Sequence, residues 1–287
     1  MSETPAYFLL AQLFTLMTAS LRLALGFSLL SALAIGLGLL LRSAQQRQLM
    51  QGLARYLNGW LGLSALAGGG FAGAEILLLS YPNFFVQRGL VFALGLLLLW
   101  GVQGFLLRRL AQTGKSDRSV TSGSVLQALS MGLSLGSVVL ACWVPAFSRS
   151  NETAITVIFA LPVALVISYF SLWLSPAQSP PRLLRSVFHG LWAGLSILAL
   201  STYLFWLYPR LAGLPPEGEF YPFLKLYDWF LMLFMLLYLG NLYIDYWLRT
   251  GENGEKPALV LAWNYGVLIA GLICLWFNAS IFDTLAL

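Results

Sequence analysis

Four ionisable side chains stand where the chain is otherwise apolar, and they are the residues best placed to do chemistry. Arg22, Glu75 and Asp228 each fall inside a long apolar stretch, and Lys225 lies one turn before Asp228. A charge in hydrocarbon is costly, so such groups pair with one another or line a path for a proton, a solute or a lipid headgroup. All four fall within about two turns of the same membrane face and are expected to share one layer. Glu75 is expected to pair with Arg22, and Asp228 to face the same cluster. The cluster is either a structural ion pair or a site for a solute, proton or headgroup, with Glu75 as the leading functional candidate.

A second set of polar groups lies farther along the chain. Tyr227, Phe234, Tyr238, Asn241 and Asp245 recur at seven- and four-residue steps, so they share one helical face that should meet protein or a cavity rather than lipid. Asn264 and Tyr265 fall at a matching depth in the next apolar segment. His189, the single histidine, stands one turn into its segment and is a candidate titrating group near neutral pH. It serves either there or as an ordinary packing residue.

Much chemistry is missing. One histidine excludes a His-rich zinc or di-iron site, a His-box oxygenase and a haem held by two histidines of this chain. Cys142 and Cys274 both lie in apolar segments, so no CxxC motif or disulfide scaffold exists. No GxSxG, HExxH, phosphate-loop or dinucleotide pattern occurs. The carboxylate spacings that bind magnesium diphosphates occur in no apolar segment. No cofactor or metal is expected. Asn151-Glu152-Thr153 and Asn278-Ala279-Ser280 match the glycosylation pattern, one short enough to arise by chance.

The elements that must position these groups follow from composition. The chain has 287 residues, 59% apolar and only 9% charged, where a soluble domain carries about a quarter charged. A water-soluble enzyme, a disordered chain and a nucleic-acid-binding domain are thereby excluded. The fold class is all-α, a polytopic membrane protein. A bilayer core of about 30 Å needs about 20 apolar residues per helix. That ruler gives eight transmembrane helices, over 18–41, 58–80, 90–107, 125–147, 153–175, 187–208, 222–248 and 258–280, in one integral membrane domain over 1–287. The stretch before the first span, Tyr7 to Met17, reads as an interfacial helix or an outward extension. Met1 to Pro5 lacks the features of a signal peptide, so the first helix is expected to be retained.

The loops alternate in basic residues. Arg42, Arg47, Arg55, Arg108, Arg109, Lys115, Arg118, Arg182, Arg185, Arg249 and Lys256 fall on one side; Arg88, Arg149, Arg210 and Lys225 fall on the other. The positive-inside rule puts the richer set in the cytoplasm and both termini outside. Most tryptophans are expected at the headgroup layers, including Trp192 and Trp263, with Trp100 alone mid-span. Short loops and this charge asymmetry point to a bacterial inner membrane or an equivalent energy-transducing one. Thr113-Gly114 and Thr250-Gly251, each after a basic helix end, hint at two four-helix halves.

Packing is legible in two places. Ser130, Ser134, Ser137 and Ala141, with Gln127 a turn earlier, form a small-residue face suited to a close helix pair or a hydroxyl-lined conduit. The run Ala67 to Ala74, with four glycines directly before Glu75, is either a tight crossing or a locally unwound hinge. Pro162 is a second candidate kink. These features lead to a transporter or permease-like protein for a small or lipidic solute, working through the cluster around Glu75. The alternative is a non-catalytic subunit or assembly factor of a larger quinone- or pigment-handling membrane complex. A lipid-modifying enzyme comes third. The expected partners are the lipid bilayer and other membrane subunits, with no nucleic acid.

Overall fold

The computed structural model describes residues 4–41, 43–79, 84–113, 120–143, 160–173, 182–202 and shorter pieces at 204–205, 229, 232–240, 262–263, 265–274 and 276. Among them are eight helices and no strand. They are α1 (Thr4–Leu40), α2 (Ala44–Leu78), α3 (Phe84–Thr113), α4 (Val120–Trp143), α5 (Leu161–Trp173), α6 (Arg182–Thr202), α7 (232–240) and α8 (Tyr265–Cys274). The chain divides into two compact units, Met1–Thr153 and Ala154–Leu287, each holding four of these helices. Three helices are long and apolar enough to cross a membrane, over Leu9–Leu40, Ala44–Leu78 and Val86–Gln112.

The first unit is an up-and-down bundle. Only Leu41, Arg42 and Ser43 separate α1 from α2, too few residues for anything but an antiparallel return. Matched pairs run down this interface in opposite directions: Ser31 bonds the Ala54 carbonyl, Phe27 stacks on Trp60, and Leu21 meets Gly68. The α2–α3 interface repeats the pattern, with Gly69 against Ala93, Gly62 against Trp100, and Asn58 on the Trp100 carbonyl. Helix α4 packs on both α1 and α3, closing the ring. Large apolar side chains stay exposed on the outward faces, among them Leu63, Leu77, Val91, Leu98 and Phe105. A membrane surrounds such a surface without cost, whereas water does not.

Helix α1 runs unbroken through Tyr7 to Met17, so the outward extension is what forms, without a separate interfacial helix. At 37 residues it rises about 55 Å, well beyond a hydrocarbon core of about 30 Å. Helix α2 likewise begins at Ala44, well before the expected 58. Its first turns, Ala44-Gln45-Gln46-Arg47-Gln48, favour helix strongly and need no lipid to form one. Arg47 and Arg55 therefore stand on a helix rather than in a loop, as do Arg108 and Arg109 at the end of α3. The up-and-down order brings all four to one end of the bundle, here termed the basic end.

The glycine run does not unwind. Helix α2 is continuous through Gly68, Gly69, Gly70 and Gly73, so the hinge is replaced by the tight crossing. The reason is steric. A Cβ on Gly68 would lie 2.7 Å from Leu21 Cδ2 and 3.4 Å from the Met17 carbonyl oxygen. Gly89 of α3 meets Met17 in the same way, with its Sδ 2.6 Å from an added Cβ. The missing side chains let three backbones converge on Met17 and Leu21.

In the second unit, Pro162 is the second residue of α5 and follows a π-helical residue, Ala160. The residues before Ala160, over which a kink at this proline would be read, lie outside the described residues. Trp192 is 2% exposed, stacks on Tyr238 with centroids 4.5 Å apart, and donates its indole N–H to the Tyr238 carbonyl at 2.8 Å. Trp263 donates to the Leu237 carbonyl at 3.1 Å and lies against Gly240. Both indole N–H donors are thus satisfied by protein carbonyls.

Candidate functional site

Glu75 sits one turn from the end of α2, where its own carbonyl accepts the capping N–H of Leu79 at 3.0 Å. It is 4% exposed, and its Oε2 has no hydrogen-bond partner among the described residues. On α2 it lies seven residues after Gly68, so it faces α1. The α1 side chains that continue the Met17–Leu21 face to that level are Leu10 and Phe14, both apolar. A buried acid with an oxygen unmatched among the described residues can take a hydrogen-bond donor or a cation there.

Glu75 and Arg22, the expected pair, are not brought face to face. In the register of Leu21 with Gly68, Arg22 lies opposite residue 67, so it and Glu75 are about eight residues apart along the helix axis, about 12 Å of rise. Arg22 also points about 100° round α1 from Leu21, sharing a face with Thr15 and Thr18. It is fully buried and engaged within the protein. Thr15 and Thr18 return their hydroxyls to the carbonyls of Ala11 and Phe14. The sequence placed both charges near one membrane face by counting residues inward. That count carries no information on helix rotation, and it shifted when α1 and α2 proved longer than the bilayer needs. Arg88 of α3 is close to Glu75 in level, but its guanidinium lies over the Phe84 ring, 3.6 Å from the centroid.

A second polar arrangement occupies the middle of the same bundle. Gln103 of α3 donates from Nε2 to Ser31 Oγ of α1 at 2.8 Å and to Ser134 Oγ of α4 at 2.6 Å. Ser28 Oγ donates to the Ser134 carbonyl at 2.9 Å, and Asn58 Nδ2 donates to the Trp100 carbonyl at 3.3 Å. Each of the four helices thus contributes a polar side chain to one layer. The serine face of α4 is the face expected: Ser130, Ser134, Ser137 and Gln127 are all buried. Gln103, Asn58, Ser28 and Ser31 were not singled out from sequence. The available signal was faint, a lone amide in an apolar span and two serines three residues apart.

Of the other candidates, Tyr238 is fully buried with Phe234 beside it, so this face meets protein. Its hydroxyl approaches Ser196 without a hydrogen bond of good geometry. His189 is half-buried on α6 and engaged within the protein. Lys225, Tyr227, Asp228, Asn241, Asp245 and Asn264 lie outside the described residues, as does any contact of Asp228 with the Glu75 layer. Among the described residues, no group of three or more His, Cys, Asp or Glu is arranged to hold a metal.

These features define a class, an all-helical protein with three described helices able to span a membrane. No protein-family model, no curated protein and no solved structure matches the chain.

Proposed function

We propose that this chain is a transporter or permease-like multi-pass membrane protein for a small or lipidic solute, with Glu75 as the group that engages it. The observation that carries this reading is the buried carboxylate oxygen of Glu75, which has no hydrogen-bond partner among the described residues. A solute or lipid bearing an ammonium, hydroxyl or amide hydrogen supplies that donor. In this reading eight helices cross the membrane, the basic ends face the cytoplasm and both termini lie outside, in a bacterial inner membrane or its equivalent. The lysine and arginine distribution supports that orientation. The test is solute flux in proteoliposomes containing the purified chain. Glu75→Gln is expected to abolish most of the flux while leaving the folded protein intact; unchanged flux removes Glu75 from the mechanism.

A second reading, a non-catalytic subunit or assembly factor of a larger membrane complex, has its own support. The first bundle is interlocked at Gly62, Gly68 and Gly89 and clasped by Gln103, a construction suited to a rigid scaffold. Copurification in mild detergent distinguishes the two. Stoichiometric partners support the subunit, and repeated recovery of the chain alone counts against it.

A further inference from the structure

The polar layer of the first bundle does not match its own donors and acceptors. Gln103 commits its amide to Ser31 and Ser134. The Ser134 hydroxyl donates to the Ser130 carbonyl at 3.1 Å, and Ser137 donates to the Ser134 carbonyl at 2.7 Å. With these commitments made, Asn58 Oδ1, Ser130 Oγ and Gln127 Nε2 have no partner among the described residues. Their side chains are 5%, 0% and 4% exposed. A buried polar atom left in this state costs about 1–3 kcal/mol, so it is normally met by ordered water.

Along the bundle axis the three atoms are spread from the Gln103 layer toward the basic end. Asn58 lies in the layer of Gln103. Ser130 is one helical turn from Ser134 toward the basic end, and Gln127 is about one turn beyond Ser130 on the same face of α4. They also differ in kind: an acceptor, a hydroxyl that can donate or accept, and a donor. A cation would find an amide N–H in its path, and an anion would find a carbonyl oxygen. A neutral molecule that both donates and accepts satisfies all three, and within a closely packed bundle water is the one small enough.

We propose that this series, from Asn58 through Ser130 to Gln127, is a binding site for a short file of internal water in the basic-end half of the first bundle. The site is separate from Glu75 and stands whether or not Glu75 takes part in transport. Two buried methionines report on it. A Cβ placed on Gly38 would lie 3.2 Å from Met50 Cβ and 3.9 Å from Gln127 Nε2, so Met50 borders the site. Met17 is equally buried, at 2% against 0% for Met50, but lies in the apolar crossing of Leu21, Gly68 and Gly89.

The experiment is millisecond X-ray radiolysis of the full chain in detergent or nanodiscs, reading methionine oxidation by mass spectrometry. Bound water is converted to hydroxyl radicals where it sits, so a buried methionine is oxidised only if water adjoins it. Met50 is expected to oxidise several-fold faster than Met17; equal slow rates at the two would overturn the proposal. Gln127→Leu should then cut Met50 oxidation several-fold with Met17 unchanged, and undiminished Met50 labelling in a variant of normal melting temperature would overturn it as well. The wild-type ratio needs no substitution, so the test survives a variant that fails to fold.

Discussion

The two halves of the first bundle hold their helices together by different means. Toward the far end, Met17 and Leu21 fill space vacated by Gly68 and Gly89. Toward the middle and the basic end, Ser28, Ser31, Gln103 and Ser134 join three helices by hydrogen bonds. In lipid, burying apolar surface brings helices little, since the tails are equally apolar, so association depends on close shape or on polar bridges. This bundle uses one at each end. The steric crossing is intolerant of added atoms, whereas the polar layer is intolerant of lost ones.

Three substitutions sharpen or break that contrast. The largest effect belongs to Gly68→Leu, which drives a side chain into Leu21 and the Met17 backbone. It should cost about 3 kcal/mol, read as a lowered midpoint in detergent-denaturation or steric-trap unfolding. A midpoint within error of wild type would show that the crossing is loose. Next comes Gln103→Leu, which removes both bonds of the clasp. Interhelical bonds of this kind contribute about 0.6 kcal/mol each, so the loss is about 1–2 kcal/mol once the stranded hydroxyls are included. A double-mutant cycle with Ser134→Ala should show coupling; strict additivity would mean that the clasp does not act as a unit. The smallest is Gly70→Ala, two residues from the crossing, where an added Cβ meets nothing within 4 Å. It should stabilise by about 0.5–1 kcal/mol through helix propensity alone. Destabilisation there would mean that α2 uses Gly70 to bend.

Single residues show how far the sequence could be read. The spacing of Ser130, Ser134 and Ser137 announced a buried face of α4, because a helix repeats its face every three or four residues whatever surrounds it. The same periodicity put Phe234 and Tyr238 toward protein. Glu75 was found because a lone acid in an apolar segment is conspicuous. Its neighbour was not found. Which residue of α1 faces Glu75 depends on the register and rotation of two helices, set here by Gly68 meeting Leu21, and no local pattern encodes that. Gln103 was passed over for a similar reason: a single amide in a long apolar run acquires meaning only when two serines from other helices reach it.

By itself, the sequence determined that this is a helical protein with segments suited to a membrane, since apolar content, scarce charge and segment length act locally and additively along the chain. It also determined which faces of α4 and α7 turn inward. The tertiary structure decided which glycines admit a neighbour, that Trp192 and Trp263 find protein carbonyls, and that Glu75 and Arg22 face different ways. Those outcomes rest on contacts between residues far apart in the chain, and a helix carries no record of its rotation until another helix packs against it.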